Sequence, residues 1–157
     1  IKIEGQGAKA IVSNILDLKN LNKVWNNKNL YLEVNRFSAS RNSVCNANDA
    51  KAYSDAWHFD MVDMDTIMCF INLTDVTSEN GPFCYLNSKK TKSYLSSLDL
   101  SHKLISNKVK EKDFSRLIGK KGKGLIIHNP SILHRASYVQ SGFRDLIIIW
   151  FKIKKLK

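Results

Sequence analysis

The stretch with the clearest capacity for chemistry is Trp57-His58-Phe59-Asp60. In an extended strand residues i and i+2 share a face, so His58 and Asp60 can offer an imidazole nitrogen and a carboxylate oxygen to one point. A second imidazole, from His134, completes a 2-His-1-carboxylate set, which holds non-haem Fe(II) on one face and keeps the other positions open. Trp57 and Phe59 make the surroundings apolar, and a buried carboxylate there needs a cation, a proton or hydrogen bonds. Arg144 extends the set. His134 and Arg144 read as two strands of a hairpin turning at Ser141-Gly142, with Ala136 opposite Arg144 and on the face of His134. The guanidinium then projects to the metal side, roughly 7 Å along the strand. That offset suits 2-oxoglutarate, its keto acid on the metal and its distal carboxylate on the arginine.

The elements that must position these groups read in order as follows. Residues 1–7 are a strand or arm ending in glycines, and apolar residues at three- and four-residue spacings predict an amphipathic helix over 10–25. Residues 26–29 close it. A strand runs from Leu30 through Val34 towards Ser38, and the polar stretch 39–52 reads as a loop over the site. Further strands carry His58 and Asp60, then residues 66–73, then 83–86. Residues 74–82, ending in Asn80-Gly81-Pro82, supply the turn between the last two. A helix is predicted over 94–104, a strand over 125–128 stopped by Pro130, and two strands around Ser141-Gly142, the last reaching Ile153. Thr66, Met68, Phe70 and Asn72 alternate onto one strand face as candidates for the pocket wall. Many short strands with few helices predict a mainly β fold with flanking helices, a double-sheet jelly roll.

Composition sets the bounds. The chain has 157 residues, 43% of them hydrophobic, enough for one core and one domain over residues 1–157, the first 29 forming an N-terminal arm and helix. It begins with Ile rather than Met, so a truncated natural start is expected. The longest apolar run, residues 146–151, is closed by Lys152 and is a buried strand rather than a membrane span; no signal peptide is read. Cys45, Cys69 and Cys84 are odd in number and lack CxxC spacing, which fits a reducing cytoplasm. The net charge is +11. Lysine, asparagine and isoleucine are all abundant, a compositional bias, and the lysines around residues 120–123 and 152–157 flank apolar strands as solvated ends. If the charge has a partner, an anionic small molecule is more economical than nucleic acid, because no basic and aromatic interleaving of a binding module is present. Oligomeric state is not readable.

In these motifs the chain resembles the phytanoyl-CoA dioxygenase-like family of Fe(II)- and 2-oxoglutarate-dependent oxygenases. The resemblance covers residues 36–151. It rests on Trp57-His58-Phe59-Asp60, on Phe70-Ile71-Asn72-Leu73-Thr74-Asp75-Val76 leading to Asn80-Gly81-Pro82-Phe83, and on Gly124-Leu125-Ile126-Ile127-His128, His134-Arg135-Ala136 and Gly142-Phe143-Arg144. It implies a double-stranded β-helix (cupin-like), with His58, Asp60 and His134 as iron ligands and Arg144 as anchor of the co-substrate. It also implies O2-dependent hydroxylation of a small substrate with release of succinate and CO2. Related halogenases carry a small residue where Asp60 stands. The family's Pro-Gly-Ser-His turn is replaced here by Leu86-Asn87-Ser88-Lys89-Lys90. The serine usual two residues beyond the distal histidine is Ala136, with Ser137 next to it. Asn72 and Ser137 are the further candidates for holding the co-substrate, and His128 is a candidate partner of the site. Competing readings are a metal-binding jelly roll that is inactive or does not use 2-oxoglutarate, and a basic nucleic-acid-binding module.

Overall fold

The computed structural model describes residues 30–44, 56–96 and 109–155. The arm and helix expected over residues 1–25, Cys45 and residues 97–104 of the expected second helix lie outside them. The described strands are β1 (Leu30–Ser43), β2 (Thr66–Asn72), β3 (Cys84–Tyr85), β4 (Ser115–Arg116), β5 (Gly124–Ile127), β6 (His134–Arg135) and β7 (Phe143–Lys155). One described α-helix, α1 (Ser88–Ser96), lies between β3 and β4. The strands form two antiparallel sheets, one ordered β1-β7-β2-β5 and one ordered β4-β3-β6. This is the expected jelly roll. Among the described residues no helix is long and apolar enough to cross a membrane.

β7 organises the larger sheet because its alternation is strict. Ile147, Ile149 and Phe151 point to one face and pack with Phe37, Ile67, Cys69 and Ile71. Leu146, Ile148 and Trp150 point to the other, where Met68, Phe70 and Ile127 meet Phe83 and Leu117 from the smaller sheet's side. On β1 the outer-face positions are Leu32 and Val34, then Phe37 and Ala39. A bulge between Val34 and Arg36 inserts the extra residue that changes the parity. The inner face of β1 therefore becomes Arg36, Ser38, Ser40 and Asn42.

Four expectations are corrected here. Residues 39–43 were expected as loop but pair with β7 as far as Ser43 opposite Phe143. His58 is not on a strand: it forms a single antiparallel bridge with His134. The hairpin joining His134 to Arg144 does not form; β6 belongs to the smaller sheet and β7 to the larger. The helix begins at Ser88 rather than Tyr94, because Asn87 caps it: Lys90 N–H donates to Asn87 Oδ1 at 2.9 Å.

Ile149, at the centre of β7 and fully buried, is expected to be the costliest simple truncation in the sheet. Ile149→Ala should lower the unfolding free energy by about 2–5 kcal/mol in urea denaturation, whereas Tyr31→Ala, on an exposed face of β1, should change it little.

Candidate metal centre

His58 and His134 are brought together by the backbone. Each donates its N–H to the other's carbonyl, at 2.9 and 3.1 Å, which fixes the two rings side by side with centroids 4.5 Å apart. His134 is also supported from beneath. Tyr85 pairs with it across β3 and β6. The Leu133 amide donates to the Thr91 hydroxyl of α1, and the Leu86 amide donates to the Leu133 carbonyl.

The side chains converge as the ligand reading requires. Nε2 of His58 and Nε2 of His134 each lie 3.5 Å from Oδ1 of Asp60, and the three ligand atoms fall within 4.8 Å of one another. Neighbouring ligands about 2.1 Å from an octahedral ion are about 3 Å apart. The two histidine–aspartate separations exceed that by about half an ångström, so a cation would draw the three groups inward. Nδ1 of each histidine is engaged with a carbonyl, His58 with Ala56 at 2.7 Å and His134 with Ile132 at 2.8 Å. Those bonds select the tautomer that presents Nε2 to Asp60. The donor set fits a divalent metal of the iron and zinc kind.

Electrostatics support the same use. Burial works to raise the pKa of Asp60, but hydrogen bonds from His134, His58 and Asn129 outweigh it and hold the carboxyl well below the ordinary carboxylate range. For His58 burial favours the neutral ring, yet hydrogen bonds to Asp60 and Ala56 win and raise its pKa above 6.5.

The three residues line a cavity of about 290 Å³ between the sheets, together with Ser40, Asn42, Met68, Phe70, Phe83, Asn129, Ala136, Arg144, Leu146, Ile148 and Trp150. Arg144 enters it from the larger sheet and is 4% exposed. Its Nη1 donates to the Gly81 carbonyl, and its Nε has no partner. Burial lowers its pKa, with Cys84 opposing, but a guanidinium stays charged in proteins. Among the described residues no carboxylate pairs with it; the adjacent Asp145 is taken by Arg41 in two bonds of 2.8 Å. A buried cation without an anion is costly, and the open side of this one faces the cavity.

Three sequence candidates, Thr66, Asn72 and Ser137, do not line that cavity; Thr66 borders a second concavity with Asn35 and Arg36. Asn72 is buried on β2, and its amide donates to the Leu117 carbonyl at 3.4 Å. The Ser137 hydroxyl lies 3.0 Å from Cys84 Sγ. Ala136 is at the wall instead. His128 is bound to Ser131 Oγ at 2.6 Å and to the Met64 carbonyl at 2.7 Å, tying the loop after Asp60 to the turn Asn129–Ser131. The residues that sequence reasoning missed are Asn129, Ser40 and Asn42. Asn129-Pro130 was legible as a turn signal but carried no ligand signature.

No protein-family model and no curated protein matches this sequence. Solved structures do match its fold. They include the non-haem monooxygenase ThoJ in complex with nickel, with 19% identity and a TM-score of 0.52 over 79% of this chain and 46% of that one. HygX from Streptomyces hygroscopicus, with nickel, 2-oxoglutarate and hygromycin B bound, has 18% identity and a TM-score of 0.52 over 90% of this chain and 64% of that one. AviO1 from Streptomyces viridochromogenes Tue57 has 16% identity and a TM-score of 0.52 over 78% and 51%. The chain thus spans between 46% and 64% of the length of these three proteins.

Gly81 delivers the carbonyl that holds Arg144, and it does so at φ +68° with no room for a side chain: a Cβ would stand 2.5 Å from the Ser137 carbonyl oxygen and 2.9 Å from the Val139 nitrogen. Gly81→Ala should therefore destabilise the fold by at least about 1–3 kcal/mol, read as a lowered midpoint in urea denaturation. An unchanged midpoint would show that the turn relaxes around the methyl group.

Proposed function

We propose that this protein is a non-haem Fe(II)- and 2-oxoglutarate-dependent dioxygenase, similar to the phytanoyl-CoA dioxygenase-like enzymes, that hydroxylates a small organic substrate. The observation that carries the proposal is Arg144, a buried guanidinium with no carboxylate partner among the described residues, on the wall of the same cavity as His58, Asp60 and His134. A cation-binding triad alone would fit many metalloproteins. The triad with a buried anion receptor in one cavity fits a ligand that chelates at one end and carries a carboxylate at the other.

In this reading His58, Asp60 and His134 hold the iron through two Nε2 atoms and one carboxylate oxygen. Arg144 takes the distal carboxylate of 2-oxoglutarate, with Ser40 and Asn42 of β1 beside it on the inner face. Asn72 and Ser137, the further candidates for the co-substrate, sit behind the wall, bonded to the Leu117 carbonyl and in contact with Cys84. When bound, the iron supplies the oxidation that inserts one oxygen atom of O2 into a substrate C–H bond, while the other enters succinate as 2-oxoglutarate loses CO2. The residues of this chain bind and orient. Met68, Phe70, Ile148 and Trp150 form the apolar part of the wall, which excludes water and takes the substrate's hydrocarbon portion. Asp60 occupies the position at which a small residue would leave room for halide, which favours hydroxylation.

Nucleic acid binding is less well supported by the charge distribution. Lys90, Lys120 and Lys152 are each within 2.7 Å of an aspartate oxygen, so part of the excess charge is neutralised locally. Two buried free thiols, Cys69 and Cys84, accord with a cytoplasmic setting.

Anaerobic addition of Fe(II) and then 2-oxoglutarate should produce the weak visible charge-transfer absorption of an iron-bound keto acid. Arg144→Ala should weaken 2-oxoglutarate binding by about 30-fold or more, the cost of removing one partner of a buried charge pair. An affinity unaffected by this substitution would remove the anchor from the proposal. Metal uptake should weaken as pH falls through the raised pKa of His58, above 6.5, because the imidazole must lose its proton to bind metal. Asp60, held ionised well below that range, should add no second step near neutrality.

A further inference from the structure

Asn129 is fully buried, at 0% exposure, on the wall of the cavity. Its Nδ2 donates to Oδ2 of Asp60 at 2.5 Å. The other carboxylate oxygen, Oδ1, is the one that faces both histidine Nε2 atoms. The amide is therefore oriented by Asp60, since the reversed orientation would set carbonyl lone pairs against the carboxylate. Its Oδ1 has no partner, and a buried carbonyl left unpaired costs about 1–3 kcal/mol. Leucine has the same branched four-atom skeleton and would avoid that cost. The polar side chain at this point is explained by its nitrogen, which donates at short distance to Asp60 and also lies 3.4 Å from Nε2 of His134, a longer and weaker contact.

We propose that Asn129 is a positioning residue that restricts Asp60 to a single ligating oxygen. The inference rests on the reading of His58, Asp60 and His134 as metal ligands. Carboxylates bind metal ions through one oxygen or two. A six-coordinate ion holding two imidazoles, both oxygens of Asp60 and a two-point ligand such as a keto acid has no position left. With one Asp60 oxygen it keeps one, and an oxygenase needs that position. Hydrogen bonding from Asn129 occupies Oδ2 and stops the carboxylate from rotating onto the ion with both oxygens.

The surrounding structure fixes the donor firmly enough for this. Asn129 opens the turn Asn129–Ser131, which has Pro130 in its first positions. The Ser131 amide donates to the His128 carbonyl at 3.0 Å. His128 then bridges Ser131 Oγ and the Met64 carbonyl, 2.6 and 2.7 Å away. Met64 is four residues beyond Asp60, so one clamp holds both the donor's turn and the carboxylate's loop.

The test counts open positions on a probe metal, without substrate or turnover. Mn(II) is titrated into the wild-type chain and into Asn129→Leu and Asn129→Ala, and the exchangeable waters on the bound ion are counted by water-proton relaxation. Thermal melting checks that each variant is folded. Wild type should show about three waters, the positions a three-ligand set leaves on a six-coordinate ion. The variants should show about two, a loss of about one-third of the relaxation enhancement. An unchanged water count in a folded variant that binds Mn(II) overturns the inference, whatever happens to affinity. So does loss of all Mn(II) binding in both folded variants, because Asn129 would then be needed for binding rather than for restricting Asp60. Failure of wild type to bind Mn(II) would instead overturn the metal reading itself, and this inference with it.

Discussion

Two opposite charges share one cavity in this protein and do not neutralise each other. Asp60 stands on the side of the smaller sheet, compensated by two imidazoles and one amide. Arg144 comes from the larger sheet, compensated by a single backbone carbonyl. Had they paired directly, the cavity would be a closed ion bridge with little capacity for ligands. Most of the architecture between them serves to keep both charges present and apart, because a charge withdrawn from water is tolerated only where every direction of its field is answered.

The separation comes from sheet geometry. β7 carries Arg144, Leu146, Ile148 and Trp150 on its inner face and Ile147, Ile149 and Phe151 on its outer face. A one-residue slip would exchange the faces, putting Asp145 in the cavity and Arg144 outside. The register is held on both flanks, by β1 from Leu30 to Ser43 and by β2 from Thr66 to Asn72. It is also held at the cavity end by Arg41 on Asp145. On the opposite wall the single bridge between His58 and His134 does the equivalent work. With only one residue of pairing, its orientation depends on the carbonyls at residues 56 and 132 and on α1 beneath.

Much of this was legible before any coordinates. The i, i+2 relation of His58 and Asp60, the turn at Asn80-Gly81-Pro82 and the alternation of β7 are local patterns, and local patterns survive in sequence. What failed to read was tertiary. Ser40 and Asn42 look like loop because strands usually announce an apolar face, and the inner face here is the polar end of a cavity. A hairpin with His134 is the path that the sequence suggests for Arg144; it reaches the metal side across the sandwich, from a different sheet. The face was right because strand parity decides it, while the path was wrong because chain proximity does not decide sheet membership. Asn129 carries a turn signal with Pro130 but no sign of its contact with Asp60, since a single buried amide has no periodicity. Asn72 and Ser137 had plausible types and spacings, but their side chains point to Leu117 and Cys84.

The bulge on β1 shows how a local irregularity shapes the whole cavity. If Asn35 took a place in the ladder opposite Trp150 instead of bulging out, the parity that turns Leu32 and Val34 to the outer face would carry on to Arg36 and Ser38, setting them against Ile149 and Ile147 on that apolar face. With it, Phe37 and Ala39 join that core, and Arg36, Ser40 and Asn42 turn inward. Ser40 and Asn42 then flank Arg144 at one end of the inner face, and Arg36 stacks over Trp150, 4.8 Å from the ring centroid, at the other. Trp150 is also a wall of a second concavity of about 220 Å³, which includes Asn35, Arg36 and Thr66. The inner face thus runs from a buried guanidinium, through the apolar span of Leu146 and Ile148, to a second guanidinium at an open mouth. Polarity therefore varies along one strand face, with a cationic group at each end and apolar side chains between them.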